Sequence, residues 1–412
     1  MKKINLKILI LLQLFIILSL LTSCTGAREL DTVGIVISTG IDLEDGQIVI
    51  TNEVINPIAA AGGKSEDIGV NTTFIQGRGR TVVDAIAQIL LVFDRELFYP
   101  HNHLIIFGEE VAKDGIGKYI DVLSRNTEQR EMAYLLVSQG EKAYDVMGIN
   151  SGISNSPGKY MYDILKGENY NGKTRTIATN EFLRYYYRAQ EGYIFGVVRV
   201  IEQPEINKIA LDKTIDLLCI EGGAVFEHDS LKGYYTGDEM IGFNFLVDNL
   251  KSTDIVFESP QYAEDPKEQM AEDGKYSVVK VFKSKTKLDI KLKEEKLHLY
   301  VDVKLRGTLV ETTELLNLSD SKILKLVEDA CAKKVEEIIK NTLEKAQDEY
   351  EIDSFSIGEL THRKYPKLWK EIKKDWKQIF TEIDYTVNVR VSIVDTGFTN
   401  TPTNLRKGKH NE

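Results

Sequence analysis

Two long runs of alternating apolar and polar residues, at 277–290 and 297–311, constrain the fold of this chain more than any other sequence feature. A period of two is typical of strands that bury one face, and the charged tetrapeptide at 293–296 between the runs predicts a turn. The sequence therefore predicts a long hairpin in the last third of the chain.

The segment after this hairpin carries helical periodicity. Over 319–350 the apolar residues recur at intervals of three and four, and Ser319 or Asp320 can cap the first turn. A helix of this length would lie across a whole sheet. A second helix is predicted at 365–380 and a closing strand at 386–394. The last third is therefore predicted as strand–strand–helix–helix–strand, an α+β arrangement of layers.

The chain before residue 259 mixes strand and helix patterns. The predicted strands are 31–42 and 47–54, which form a hairpin, and 73–77, 104–108, 133–138, 216–226 and 231–236. The predicted helices are one that starts after an N-cap at Thr81, 109–118 with its continuation 119–125, 141–147, 180–190 and 239–250. The segments 59–70 and 148–179 are predicted as polar, glycine-containing stretches, and the acidic, proline-containing segment 259–275 as a linker.

The first 23 residues have the three parts of a secretory signal. Lysines precede an apolar stretch at 8–20, and no acidic residue lies before Cys24. The tetrapeptide Leu21-Thr22-Ser23-Cys24 resembles the lipobox of bacterial lipoproteins, in which the cysteine becomes an S-diacylglycerol, N-acyl cysteine. The alternative is an uncleaved N-terminal anchor in which Cys24 has no special role. The apolar stretch is about half of the ~20 residues that a spanning helix needs.

The charge of the chain excludes some functions. It has 52 basic and 63 acidic residues, and three of the lysines lie in the predicted leader. An exported part this acidic lacks the basic footprint of a nucleic-acid-binding protein, and it gains little from anionic lipid headgroups. Membrane affinity would therefore have to come from attached lipid.

The two remaining cysteines, Cys219 and Cys331, lie in different predicted elements. Lone cysteines of this kind pack as small apolar residues more often than they form a bridge, although the sequence leaves a disulfide between them open.

No motif of the chain indicates catalysis. The glycines at 77 and 79 precede a helix but lack the rest of a phosphate-binding loop, so a strand-to-helix turn is the simpler interpretation. His101 and His103 could face one metal ion on a strand, but no further ligand pattern accompanies them, and structural histidines are preferred. The tyrosines at 185–187 are interpreted as the packing side of a helix. The prediction is therefore of no catalytic, cofactor-binding or metal-binding residue.

A series of short motifs runs along nearly the whole chain: Cys24, 28–30, 35–42 ending in Gly40-Ile41-Asp42, 101–110, 112–115, 121–125, 128–130, 222–226, 231–233, 355–358, 366–369 and Trp376. Their order resembles that in the C-subunit lipoproteins of bacterial spore nutrient-germinant receptors, the Ger(x)C family. One departure is that Thr25-Gly26 follow Cys24, where the family usually has Trp-Asp.

The resemblance implies three mixed α/β modules behind a lipoprotein signal peptide at 1–23. We expect an N-terminal germination lipoprotein domain at 24–205, a middle module at 206–258, the linker at 259–275 and a C-terminal domain at 276–400.

The resemblance also implies partners: a membrane reached through the lipid on Cys24, and integral-membrane A and B subunits in a complex that responds to amino acids, sugars or nucleosides. It assigns small-molecule binding to the B subunit, so no direct ligand or cofactor is expected for this chain. The implied function is that of a non-enzymatic subunit at the outer face of the inner spore membrane, needed for germination. The alternatives are a lipoprotein that binds solutes for an uptake system and a secreted hydrolase.

Overall fold

The computed structural model describes Gln13 and residues 32–55, 72–125, 132–149, 156–187, 192–201, 216–260, 276–312 and 318–395. These residues form two β-sheets with helices packed on them, which confirms the predicted mixed α and β fold.

The first sheet contains ten strands. They are β1 (Val33–Glu44), β2 (Gln47–Ile55), β3 (Thr72–Gly79), β4 (Glu96–Phe98), β5 (Leu104–Phe107), β6 (Tyr134–Ser138), β7 (Ile177–Ala178), β8 (Gly192–Ile201), β9 (Leu217–Glu227) and β10 (Ser230–Tyr235). Their order is β10-β9-β8-β6-β5-β1-β2-β3, with β4 beside β1 and β7 beside β6. The centre is parallel, and the predicted β1–β2 and β9–β10 hairpins are present as antiparallel pairs.

Helices cover both faces of this sheet. They are α1 (Val82–Ile89), α2 (Glu109–Asp114), α3 (Gly117–Arg125), α4 (Ala143–Met147), α5 (Pro157–Leu165), α6 (Glu168–Asn171) and α7 (Thr179–Tyr187). Ile105 and Phe107 of β5 pack with α1, α2, α3 and α7, whereas Leu104 and Ile106 pack with α4 and α5. Because both faces are buried, β5 is a continuous apolar run, as is typical of a central parallel strand.

The second sheet has the order β11-β12-β13-β14. Its strands are β11 (Thr253–Glu258), β12 (Tyr276–Lys293), β13 (Lys296–Thr312) and β14 (Asp384–Asp395). The predicted long hairpin is β12–β13, and β14 adds to it in parallel. Its turn places Glu294 and Glu295 at positive φ.

Helices also cover one face of the second sheet. They are α8 (Gly237–Leu246), α9 (Ser321–Glu344), α10 (Ile357–Lys364), α11 (Pro366–Ile372) and α12 (Trp376–Thr381), and a π-helical segment (Lys345–Tyr350) continues α9. Cys331 and Val335 of α9 pack in one core with Val301 and Val303 of β13. Asp320 caps α9, since its carboxylate accepts from the Lys322 backbone N–H at 2.8 Å.

Helix α8 joins the two sheets. Eight of its ten residues are buried, and its core neighbours include Ile194 and Val225 of the first sheet as well as residues of the second sheet. A Cβ built on Gly242 would lie 2.1 Å from Thr342 Oγ1 and 2.8 Å from the Ile338 carbonyl oxygen, so α8 packs directly on α9 with no room for a side chain at this position. The predicted middle module thus gives β9 and β10 to one sheet and β11 to the other, while the module boundaries stay predictions.

Some predicted elements were wrong. The helix predicted at 365–380 is interrupted between α11 and α12, because the break turns Trp376 and Phe380 into the core while α11 buries none of its residues completely. Helices α5, α6 and α10 and strands β4, β7, β8 and β11 were not predicted. The predicted segment 59–70 and most of the predicted linker, 261–275, lie outside the described residues.

We expect Gly242→Ala to lower the free energy of unfolding by about 1–3 kcal/mol, because the added methyl group overpacks the α8–α9 contact. In an open helix the same change would be stabilising. Urea unfolding of the purified protein measures this effect. Gly148→Ala is the matched control, because its Cβ would lie no closer than 3.4 Å to the Asp145 carbonyl oxygen. Equal midpoints for the two variants would contradict the tight contact.

Candidate functional site

The predicted lipidation site, Cys24, lies outside the described residues. The described body of the chain begins at Thr32, whose carbonyl oxygen accepts a hydrogen bond from the Glu96 N–H at 3.0 Å. Val33 then pairs with Glu96 in a parallel register between β1 and β4. The chain that leads from Cys24 therefore enters the body at the β1–β4 end of the first sheet.

The Gly40-Ile41-Asp42 motif forms a joint between β1 and α4. The buried Asp42 carboxylate accepts from the backbone N–H groups of Ala143 at 2.8 Å and Tyr144 at 3.2 Å. A Cβ on Gly108 would lie 2.1 Å from Asp42 Oδ1, so the glycine of the 101–110 motif makes room for the carboxylate. Burial raises the pKa of Asp42 to about 6, although the two backbone donors oppose the shift.

The buried Glu53 forms a second joint, which the sequence did not predict. Its carboxylate accepts from Ser38 Oγ at 2.8 Å, Ser156 Oγ at 2.6 Å and the Gly158 N–H at 2.7 Å. Burial raises the pKa of Glu53, and the three donors oppose the shift. These contacts fix the start of α5 on β1 and β2. The Glu53 carboxylate therefore has a structural role.

Within the 101–110 motif, Asn102 takes part in a network of buried hydrogen bonds. Asn102 is buried and donates to Thr39 Oγ1 at 3.0 Å; Thr39 in turn donates to Asn52 Oδ1 at 2.8 Å. Asn52 Nδ2 donates to the Tyr99 hydroxyl at 3.2 Å. This chain of buried polar groups holds the loop before β5 on the β1–β2 hairpin.

The two histidines of the motif do not form a common site. The His103 ring stacks on Tyr162 with 4.7 Å between centroids, and the His101 ring lies 6.0 Å from that of Phe98. Within the described residues, no group of three histidine, cysteine, aspartate or glutamate side chains could hold a metal ion.

The glycines at 77 and 79 allow α1 to lie directly on β3. A Cβ on Gly77 would lie 2.0 Å from the Ala85 carbonyl oxygen, and one on Gly79 would lie 2.4 Å from the Ala85 nitrogen. Thr81 caps α1 as predicted, since its Oγ1 accepts from the Asp84 N–H at 3.1 Å. Both glycines are therefore packing positions rather than a phosphate cradle.

The 355–358 motif surrounds a buried carboxylate that the sequence did not single out. Asp353 accepts from the N–H groups of Phe355 at 3.1 Å, Ile357 at 3.0 Å and Gly358 at 2.6 Å, and from Trp376 Nε1 at 3.2 Å. Burial raises the pKa of Asp353, and the four donors oppose the shift. The carboxylate thereby connects the start of α10 to α12. The signal in the sequence that could have predicted this site is Asp353 itself, an aspartate two residues before the motif.

A cleft of about 520 Å³ lies where α7, β8, α8 and β12 meet. Arg175 in this cleft pairs with Glu181 at 3.2 Å and lies 5.6 Å from the Phe243 ring centroid. Asp248 accepts from the Thr286 N–H at 2.7 Å and pairs with Lys285. The Arg175–Glu181 pair is local to the α7 side, whereas Arg175 over Phe243 joins that side to α8 and Asp248 joins the end of α8 to β12. The cleft is therefore part of the contact between the sheets.

Cys219 is half-buried on β9 and Cys331 is buried in α9, and both are free thiols. The pairing that the sequence left open is absent.

The tyrosines of α7 follow the predicted packing in part: Tyr185 donates to Glu181 at 2.6 Å, whereas Tyr187 is 71% exposed. Among the residues that the structure describes, no helix is both long and apolar enough to cross a membrane.

Two models of known protein families match successive parts of the chain. The family model described as the spore germination protein N-terminal domain matches residues 26–199, and that described as spore germination B3/GerAC like, C-terminal, matches residues 221–397. Spore germination protein KC of Bacillus subtilis (strain 168) is 26% identical over 97% of this chain and 98% of its own. Spore germination protein B3 of the same organism is 24% identical over 93% and 96%.

A solved structure, the crystal structure of the GerBC protein, has a TM-score of 0.54 and 18% identity, covering 86% of this chain and 96% of that one. This likeness shows the shared fold. With the two family models it confirms the resemblance: the chain belongs to the Ger(x)C family of spore germination proteins, which is not a known class of enzymes. Several motifs that carried the resemblance lie at the Asp42 and Asp353 joints.

The pKa of Asp42 predicts a pH dependence of stability. Because its pKa rises from 3.8 when unfolded to about 6 when folded, the folded state binds the proton more tightly. The contribution of Asp42 to the free energy of unfolding should therefore fall by about 2 kcal/mol as the pH rises from 4 to 6. Asp42→Asn should lack this component. Urea midpoints of both proteins between pH 4 and pH 7 measure it, and parallel curves would exclude the shift.

Proposed function

We propose that this chain is the lipid-anchored, non-enzymatic C subunit of a nutrient-germinant receptor, needed to trigger spore germination. It acts at the outer face of the inner spore membrane beside integral-membrane A and B subunits. The observation that carries the proposal is that two spore germination family models match successive parts of one chain, from 26 to 199 and from 221 to 397.

The proposed anchor is the diacylglycerol thioether and the acylated amino group of Cys24. A thiolate is the suitable nucleophile for forming the thioether, and two or more acyl chains hold a protein on a bilayer far more firmly than one. Attachment to the same membrane raises the local concentration of the body near the receptor subunits. This effect needs no catalytic group in the chain.

The buried carboxylates support a scaffold role. Asp42, Glu53 and Asp353 each accept two or more hydrogen bonds from groups that fix the start of a helix. A carboxylate used in this way is not available to a substrate. This disfavours the alternative of a secreted hydrolase, which would need an accessible pair of acid–base groups.

The architecture also disfavours the alternative of a solute-binding lipoprotein. Such a protein would have two doubly wound lobes with a hinge between them. In this chain the second sheet is built on the β12–β13 hairpin, and α8 is buried between the sheets. An uptake receptor that closes on its ligand would need this packed contact to open.

The test is the replacement Cys24→Ala in the native gene. We expect the protein to remain unprocessed or to leave the membrane fraction, and nutrient-triggered germination to weaken, because the chain loses its place beside the other subunits. Fractionation, mass spectrometry of the mature N-terminus and the germination rate measure these effects. Cys219→Ala is the matched control, since it removes a half-buried free thiol and leaves the lipobox intact. Full germination from a soluble, unlipidated form would refute the proposal.

A further inference from the structure

Three consecutive aliphatic side chains lie exposed after α1. Leu90, Leu91 and Val92 are 52%, 76% and 78% exposed, and we call these three residues the apolar tip. Helix α1 ends at Ile89, and Leu90 is its C-cap. The chain then turns, with the Val92 N–H donating to the Ile89 carbonyl oxygen at 3.1 Å.

The apolar tip lies at the end of the first sheet where the chain enters. A Cβ on Gly34 would lie 2.8 Å from the Phe93 ring, so the residue after the tip packs on the start of β1. Glu96, four residues after Val92, donates its N–H to the Thr32 carbonyl oxygen at 3.0 Å. At most about 14 Å of backbone therefore separates Val92 from Glu96, the hydrogen-bond partner of Thr32.

The proposed anchor can reach the same place. Cys24 precedes Thr32 by eight residues, which span at most about 28 Å when fully extended. A bilayer that holds the acyl chains of Cys24 therefore lies within reach of the apolar tip. The opposite end of the sheet, at the β1–β2 turn, lies about 40 Å away along the twelve residues of β1.

The charges beside the apolar tip indicate which lipid it fits. Asp94 and Glu96 are exposed, with the half-buried Arg95 between them, so segment 94–96 carries more negative than positive charge, and the whole chain has a formal net charge of −11. Anionic headgroups would repel these carboxylates, whereas a zwitterionic surface would not. The chemistry therefore matches the interface of a neutral phospholipid bilayer, into which aliphatic side chains transfer favourably.

We propose that the apolar tip inserts into the membrane that holds the Cys24 anchor, at the boundary between headgroups and acyl chains. This inference rests on the proposed lipidation of Cys24. The anchor by itself limits only the distance between the folded body and the bilayer. The inserted tip adds a second attachment beside the anchor and fixes the direction of β1 relative to the membrane. The first sheet then stands with its β1–β4 end on the bilayer and its β1–β2 turn away from it.

The test uses the full lipidated chain in phosphatidylcholine vesicles whose acyl chains carry bromine, which quenches nearby indoles. Leu91→Trp places an indole at the tip. Gln47→Trp is the matched control, since Gln47 is exposed on β2 at the opposite end of the sheet. The wild-type signal of Trp369 and Trp376 is subtracted. We expect the added fluorescence to fall by about half for Leu91→Trp and by less than about a tenth for Gln47→Trp.

A second measurement uses a protein that lacks the lipid anchor. The chain without its leader and with Cys24→Ser should bind neutral vesicles weakly, and Leu91→Asp with Val92→Asp should lower its partition coefficient about tenfold. Both side chains are exposed, so the double variant should keep the unfolding midpoint of the parent. Adding phosphatidylglycerol should not raise the binding of the parent chain.

The outcomes separate the two proposals. Equal quenching at positions 91 and 47 in a lipidated, vesicle-bound chain would overturn the inserted tip and leave the anchor standing. A chain recovered without lipid and free of vesicles would instead overturn the proposed function. If lipid does not quench the Leu91→Trp indole, but the other receptor subunits shield it from acrylamide, a protein partner covers the tip and the bilayer assignment is wrong.

Discussion

The rest of the structure depends on the contact between α8 and α9. Gly242 lets the two helices pack directly, and the single O–H of Thr342 in the contact lies within hydrogen-bond distance of the carbonyl oxygens of Glu239, at 3.1 Å, and Ile338, at 2.9 Å. Lys345 adds an ion pair to Glu239 at 3.0 Å and a hydrogen bond to the Tyr234 carbonyl oxygen at 3.1 Å. Since α8 packs on β9 with its other side, this contact makes one core of two sheets.

Buried carboxylates perform a second, local task in this fold. A buried and unpaired carboxylate is costly, and each of Asp42, Glu53 and Asp353 offsets that cost by accepting hydrogen bonds from orphan donors at a helix start. The arrangement leaves the helices α4, α5 and α10 fixed in position although they are short. In an enzyme, a carboxylate with a raised pKa is a candidate acid or base. Here hydrogen bonds from backbone N–H groups, and from the Ser38 and Ser156 hydroxyls and the Trp376 indole, explain the burial without such a role.

The sequence predicted what local patterns determine. The β12–β13 hairpin, α9 and the caps Thr81 and Asp320 follow from periodicity and from side chains within a few residues of the element. Contacts between distant residues decided the rest. Helix α5 depends on Glu53, which precedes Ser156 by more than a hundred positions, and the break before α12 depends on Trp376 reaching Asp353. At the candidate site, the histidine pattern drew attention away from Asn102, whose side chain donates to Thr39 on β1, more than sixty positions earlier.

The connection between the sheets gives the proposed membrane contacts a consequence for the whole body. A single lipid tether leaves a body free to rotate about its attachment, whereas a tether with an adjacent inserted tip defines one axis. That axis is β1, and the first sheet shares a continuous core with the second through α8. Reorienting the first sheet on the bilayer must therefore move the β12–β13 hairpin with it. The proposed subunit would in this way present a fixed surface to the proposed membrane partners, because a packed core transmits displacement instead of absorbing it.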